Sequence, residues 1–529
     1  MNNLLTDPWL RITTQSGKKP TVALHQLTQI DGETVVDLHA PRADFKGAIY
    51  QLLLALLQCR FAPENREQWE RYWLEPPDIG ILFEAFSSVA PLFELFSDQG
   101  PVFMQDSELE PGDDVGISNL LIDASEGHFN KPGKVQAVAP QWAAVALFTM
   151  QINAPAGGRG HRVSLRGGGP LTTLVIPPTD SDKDTLWHRL WLNVLTLEEL
   201  NQCTGNVDLD ESTAIYPWAG SVRVSEKKGS ETYPELAHPL HMYWSMPRRI
   251  RFAEPESGTF VCDLSGESCE QVVRAYTAKT YGHDYAGNWQ HPLTPHVIET
   301  GKDTLTVKGQ PGGLGYRHWL GTVLSTGDDK KKRVVARVVA NYYHRRQWIS
   351  DLDFTAEVMS SYPQLWVFGY DMDNMKARCW YETMLPLLST DTEQQDALVH
   401  EASLYINAAD DTRRALVSCV KQAWFSRPRD AKGDMSAIGN NFWELTEASF
   451  YATLQHLISG DREGAARDWH DALKRECIAL FDRYTIHDAS ASGSGYREAI
   501  KARDGKGGLV HSLNRSKAMK ALKATGESV

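Results

Sequence analysis

The sequence predicts an α+β fold, with a large mixed N-terminal domain over residues 1–385 and a C-terminal four-helix bundle over residues 386–529. Three observations predict it. A chain of 529 residues has length for two or more domains, each with a buried core. Before residue 385, short β-like runs mix with helical segments and many Gly/Pro breaks. After it, apolar residues recur at three- and four-residue spacing.

In chain order, the β-like runs are Thr21–Leu24, Thr172–Ile176 and Val334–Val339, each rich in β-branched residues. Glycines cluster at 157–169 and 309–315 and read as loops. The helical segments are Glu393–Asn407, Asp411–Phe425, Asn441–Ile458, Arg462–Tyr484 and Gly495–Lys523. Ala402, Leu404, Tyr405 and Ala408 trace one stripe; Phe450, Leu454, His456 and Leu457 trace another. Taking the first two segments as one interrupted helix gives four. The short link Ser459-Gly460-Asp461 makes its flanking helices antiparallel neighbours.

Composition narrows the function. Apolar residues make up 42% and charged residues 23%, which excludes wholesale disorder. The net charge of −13 excludes an indiscriminate coat on nucleic acid but allows a local basic site. The charge is segregated. Residues 61–120 hold thirteen acidic and two basic residues, a net −11; residues 301–350 hold ten basic and three acidic, a net +7. Residues 491–529 hold eight basic and three acidic, a net +5. Different faces are expected to meet different partners. The acidic window is the best argument for a purely structural assembly protein.

The opening residues 1–12 show no basic region followed by an apolar run, and Ala48–Leu57 is too short to span a bilayer. Seven scattered cysteines suit reduced thiols, so a cytoplasmic protein without membrane contact is expected. Cys262 and Cys269 have six residues between them, wider than zinc pairs use, and no metal or other cofactor is expected.

Chemistry concentrates in a few places. Gly157-Gly158-Arg159-Gly160-His161-Arg162, followed by Arg166-Gly167-Gly168-Gly169, joins fixed positive charge to backbone free of side-chain bulk. That composition suits contact with a nucleic-acid backbone. No GxxxxGK[ST], HExxH or GxSxG occurs in the chain, and no catalytic constellation is expected. The alternative is a metal-dependent phosphohydrolase or nuclease using the pairs His283-Asp284, His470-Asp471 and His487-Asp488. The His- and aromatic-rich stretch Tyr281–His296 reads as a turn-rich core edge. Lys330-Lys331-Lys332-Arg333, with Arg337, His344, Arg345 and Arg346 beside Tyr342, Tyr343 and Trp348, pairs charge with stacking rings.

Several short motifs then line up. They are Asn3–Trp9 (NLLTDPW), Pro101–Gln105 (PVFMQ), Ala146-Leu147-Phe148, Asn153-Ala154-Pro155, Leu165–Gly168 (LRGG), Pro170–Thr173 (PLTT), Trp289–Pro292 (WQHP) and Gly369–Asn374 (GYDMDN). In this order, across essentially the whole chain, they resemble the CasA family, the large subunit of the type I-E CRISPR effector complex Cascade. The resemblance implies a non-enzymatic subunit that recognises the PAM in double-stranded DNA, helps open the duplex for R-loop formation and recruits a separate helicase–nuclease. CRISPR RNA and the other Cascade subunits are its implied partners. The family's glycine loop falls on Gly157, Gly158, Arg159 and Gly160, flanked by His161 and Arg162. Its lysine finger falls on Lys279, and its strand-opening wedge on Asn374, Met375 and Lys376, where some relatives carry glutamine. A further loop near the guide RNA falls on Phe129, Asn130 and Lys131.

Overall fold

The computed structural model describes residues 1–529 apart from 111–113, 124–132, 180, 205–211, 310–311, 348, 350–361, 374, 389–391, 426, 430–433, 487–492 and 527–529. Phe129, Asn130, Lys131 and Asn374 therefore lie outside the described residues. What is described separates into two compact units: Met1–Gly313 with Gly327–Met384, and Leu314–Thr326 with Leu385–Val529.

The first unit is built on two helices buried on nearly every side, Ala43–Arg60 and Pro140–Asn153, which pack on each other. Neither carries a polar face, which is how a helix reads when it runs through a core. Pro140 opens the second helix, where its missing N–H costs nothing. Small antiparallel sheets surround them. Leu10–Thr14 pairs with Thr21–Val22 and with Glu33–His39. Thr172–Ile176, buried at every residue, pairs with Gln364–Asp373, which continues into the hairpin strand Lys376–Pro386. A third sheet sets Ala275–Lys279 between Asp114–Gly116 and Arg249–Phe252.

The run Val334–Val339 departs from its strand-like reading. The strand is Lys331–Val334, paired with His296–Glu299, and a helix takes over at Arg337–Arg346. Ala336 is extended at the N-cap, and Val338 N donates to Pro292 O at 3.2 Å, so a tertiary contact overrides the β-branched propensity.

The second unit is helical: Thr392–Trp424, Ser436–Ile458, Arg462–Thr485, Gly493–Asp504, Leu509–Arg515 and Lys517–Gly526. The first is one continuous 33-residue helix, carried through 408–411 by buried Ala408 and Ala409 and by the Arg413–Asp410 ion pair at 2.7 Å. The last segment is split. Gly507 at φ +85° and Gly508 end one helix, and Ser516 ends the next. The segment 314–326 joins this core through two aromatic side chains, which sequence periodicity did not indicate. Tyr316 stacks on Phe450 with centroids 4.4 Å apart and shares a 2.8 Å hydrogen bond with Thr446 Oγ1; Trp319 Nε1 donates to Pro386 O.

Among the described residues no helix is long and apolar enough to cross a membrane. Cys59, Cys262, Cys269, Cys379, Cys419 and Cys477 are free thiols.

Candidate nucleic-acid interface

The strand Ala275–Lys279 buries Tyr276 and Thr277 in its first half and ends with Ala278 and Lys279 both exposed, Lys279 opposite Arg249. The chain then turns at Tyr281, which holds φ +65°, a left-handed conformation rare for an aromatic residue. This turn meets the glycine loop. Tyr281 N donates to Gly160 O at 2.8 Å, and His161 N donates to Gly158 O at 3.1 Å to close the loop on itself.

The glycines are there for two different reasons. A Cβ on Gly160 would lie 2.8 Å from Thr280 Cβ and 3.0 Å from Tyr281 Cζ, so only glycine lets these backbones approach so closely. Gly158, at φ +95°, has nothing within 4 Å of such a Cβ. It presents bare backbone to open space.

Arg159 projects from the exposed loop, and neither its side chain nor that of Lys279 forms a hydrogen bond or ion pair within the described residues. His161 is exposed, and partial burial with the nearby Arg248 charge lowers its pKa, leaving it a neutral imidazole at neutral pH. Arg162 turns inward, onto Ser225 and Asp284. The structure thus brings Gly157–Arg162 and Lys279 into one surface feature.

The second glycine run behaves differently. Arg166 is buried, donating to Thr172 Oγ1 (3.0 Å), Thr294 Oγ1 (3.1 Å) and Gln51 Oε1 (2.6 Å). Burial pushes its pKa down to about 9. This guanidinium is a core brace and leaves the surface loop two arginines, not three. Gly169 packs on the hairpin: a Cβ there would lie 2.4 Å from Met372 Cγ. At the hairpin tip, Met375 is 50% exposed and Lys376 opens the return strand, also exposed.

His283 is buried, its Nδ1 sharing a 3.2 Å contact with Thr232 Oγ1, and burial pushes its pKa well down. Its neighbour Asp284 is committed to Arg162. His470 Nδ1 and Asp471 Oδ1 lie 2.9 Å apart on one helix, and the third pair lies outside the described residues. Among the described residues no three His, Cys, Asp or Glu side chains group to hold a metal. A cleft of about 550 Å³ lies elsewhere in this unit, among Trp289, His291, His296 and Arg337. It contains none of the loop residues.

Of the basic cluster near 330–346, Arg345 is also internal, paired with Glu199 and lying 4.4 Å from the Trp69 ring centroid. Lys331 and Lys332 are exposed and pair with Glu299 and Asp329. Sequence reasoning missed Ser225, Tyr281 and Asp284 as partners of the loop. Their only signal was nearness in sequence to Lys279 for the last two.

The model of the family "CRISPR-associated protein Cse1" matches residues 3–480. The chain belongs to the Cse1 (CasA) family. As a Cse1-family protein it is similar in fold to Thermus thermophilus CasA (Cse1), with TM-score 0.68 at 16% identity over 98% of this chain and 99% of that one. Cse1 from Acidimicrobium ferrooxidans gives TM-score 0.66 at 16% identity over 99% of each chain. Thermobifida fusca Cse1 gives 0.67 at 15% identity over 99% of this chain and 98% of that one. At such identities the likeness speaks for the shared Cse1 fold, and the roles of individual side chains rest on their own geometry.

Proposed function

We propose that this chain is the non-enzymatic large subunit of the type I-E CRISPR effector Cascade, and that it recognises the PAM in double-stranded DNA. The observation that carries the reading is the junction of the exposed loop Gly157–Arg162 with the end of the strand bearing Lys279, in a Cse1-family fold. A minor groove about 6 Å wide admits backbone where side chains are absent, and Gly158 offers such backbone in open space. Arg159 and Lys279 flank it as cations with no ion-pair partner among the described residues, suited to phosphates or to the groove edge. In RNA-guided complexes protein reads only this short flanking motif, while pairing with CRISPR RNA reads the target.

The tip Asn374-Met375-Lys376 is proposed to wedge the duplex. An exposed apolar side chain at a hairpin turn can insert between base steps and unstack them. Phe129, Asn130 and Lys131 are proposed to engage the complex near the guide RNA. The helical unit, as a bundle of four members with the last split in three, is proposed to dock the other subunits, and a helicase–nuclease is recruited in trans. No cofactor enters this role, and a cytoplasmic location goes with it.

Comparing complexes with and without this chain in a gel shift tests the reading. Duplexes with an intact PAM should be preferred over mutated ones only when the chain is present. Equal discrimination in its absence would refute the proposal.

A further inference from the structure

Of the two arginines in the reading loop, Arg162 is the one engaged by other side chains. Arg162 Nε donates to Ser225 Oγ at 2.9 Å, Nη2 donates to Ser225 O at 2.6 Å, and Nη1 pairs with Asp284 Oδ2 at 2.8 Å. The same guanidinium lies 5.5 Å from the Tyr281 ring centroid. Both ion-pair partners are about three-quarters shielded, with side-chain exposures of 27% and 28%.

The groups it touches are themselves tied together. Ser225 N donates to Tyr281 O at 2.9 Å and Ser225 Oγ to Gly282 O at 2.6 Å. Tyr281 N closes onto Gly160 O, and Asp284 O accepts from Thr232 N at 2.7 Å. Three stretches distant in sequence, 158–162, 225–232 and 281–284, therefore converge on one planar five-donor side chain. The left-handed Tyr281 is held inside this ring of contacts, as a strained conformation must be.

We infer that Arg162 is a positioning residue, a lock that fixes the glycine loop against Tyr281–Asp284, and that Arg159 and Lys279 are the cations of this feature that meet DNA phosphates or base edges. The inference rests on the DNA-reading role proposed above for the loop, but the lock itself makes claims that hold without DNA. Three of the five N–H donors of this guanidinium are committed internally and its charge is paired with Asp284, which limits what it can give a ligand. Its effect on binding is exerted through the loop it holds.

Arg162 as lock and Arg162 as direct contact give opposite signs for Asp284→Asn. Removing that carboxylate makes the surface less negative and releases Arg162. A direct contact would then bind DNA more tightly. A lock would loosen the loop and bind DNA more weakly.

The test uses the assembled complex with a PAM-bearing DNA duplex over a salt series, and amide exchange on the full chain alone. Arg159→Ala and Lys279→Ala should each lower the slope of log affinity against log salt by about one. Arg162→Gln and Asp284→Asn should weaken binding with the slope unchanged, and should speed amide exchange at Gly160, His161 and Tyr281. A slope lowered by about one in Arg162→Gln, or tighter binding in Asp284→Asn, overturns the lock, as does unchanged exchange in both. If all four variants bind DNA as the unaltered complex does, the DNA-reading role fails. Faster exchange in the Arg162 and Asp284 variants would then still establish the lock.

Discussion

Gly158 and Gly160 both have positive φ, yet alanine should act on them differently. At Gly158 the new Cβ meets nothing within 4 Å, so the cost is the left-handed backbone alone, about 1–2 kcal/mol. At Gly160 the same backbone cost is joined by a Cβ placed 2.8 Å from Thr280 Cβ and 3.0 Å from the Tyr281 ring. Relieving such overpacking adds about 1–3 kcal/mol. The added cost falls on the contact between Gly160 O and Tyr281 N. Amide exchange at Tyr281 reads it directly. With a factor of ten per about 1.4 kcal/mol, Gly160→Ala should exchange about 5- to 150-fold faster there than Gly158→Ala. DNA binding should show a separate effect. Gly158→Ala puts a methyl on the backbone proposed to enter the groove and should weaken PAM binding by about 1–3 kcal/mol, the scale of one base contact. Equal exchange at Tyr281 in the two variants, or PAM binding unaffected by Gly158→Ala, would refute the reasoning.

The same contacts set further outcomes. Met375→Ala should leave thermal stability unchanged, because the side chain is half exposed, while reducing the fluorescence rise of a 2-aminopurine placed beside the PAM; an undiminished rise removes the wedge. Glu199→Ala should strip the buried Arg345 guanidinium of its carboxylate and destabilise the first unit by about 3–5 kcal/mol in a chemical-denaturation series, and a cost under 1 kcal/mol would contradict the account. Burial pushes His241 and His296 down to about 4 from 6.5, so the unfolded chain takes up those protons first. Stability should therefore fall as pH drops from about 6.5 to about 4, by at most about 3 kcal/mol per histidine. His296→Asn should flatten that dependence, measured as Tm against pH.

Much of the fold was legible because local and tertiary demands agreed. Thr172–Ile176 is a short β-branched run and is a fully buried strand. The helical text after residue 385 is helical, since its apolar spacing matches the face each helix buries. Where the reading failed, a distant contact intervened. Val334–Val339 carries strand propensity, yet Pro292 O captures Val338 N and a helix starts there. Tyr316 and Trp319 sit in a Gly-rich stretch with no periodicity, and only the partners Phe450, Thr446 and Pro386 reveal them as core.

The site divides the same way. Glycine clustering marked the loop, and a positive charge marked Arg159, Arg162 and Arg166 alike. Composition gives a charge but no direction. Arg159 faces solvent, Arg162 faces Ser225 and Asp284, and Arg166 faces Gln51, Thr172 and Thr294. Those partners lie between 6 and 128 residues away in sequence, beyond any local pattern.

The central claim is that this loop, with Lys279, carries PAM discrimination for its complex. The most direct measurement is the ratio of affinities for two duplexes that differ only in the PAM, taken with the unaltered chain and with Arg159→Ala/Lys279→Ala. The ratio should collapse toward one in the double variant, while its thermal melt stays unchanged. A preserved ratio in a folded double variant would contradict the account.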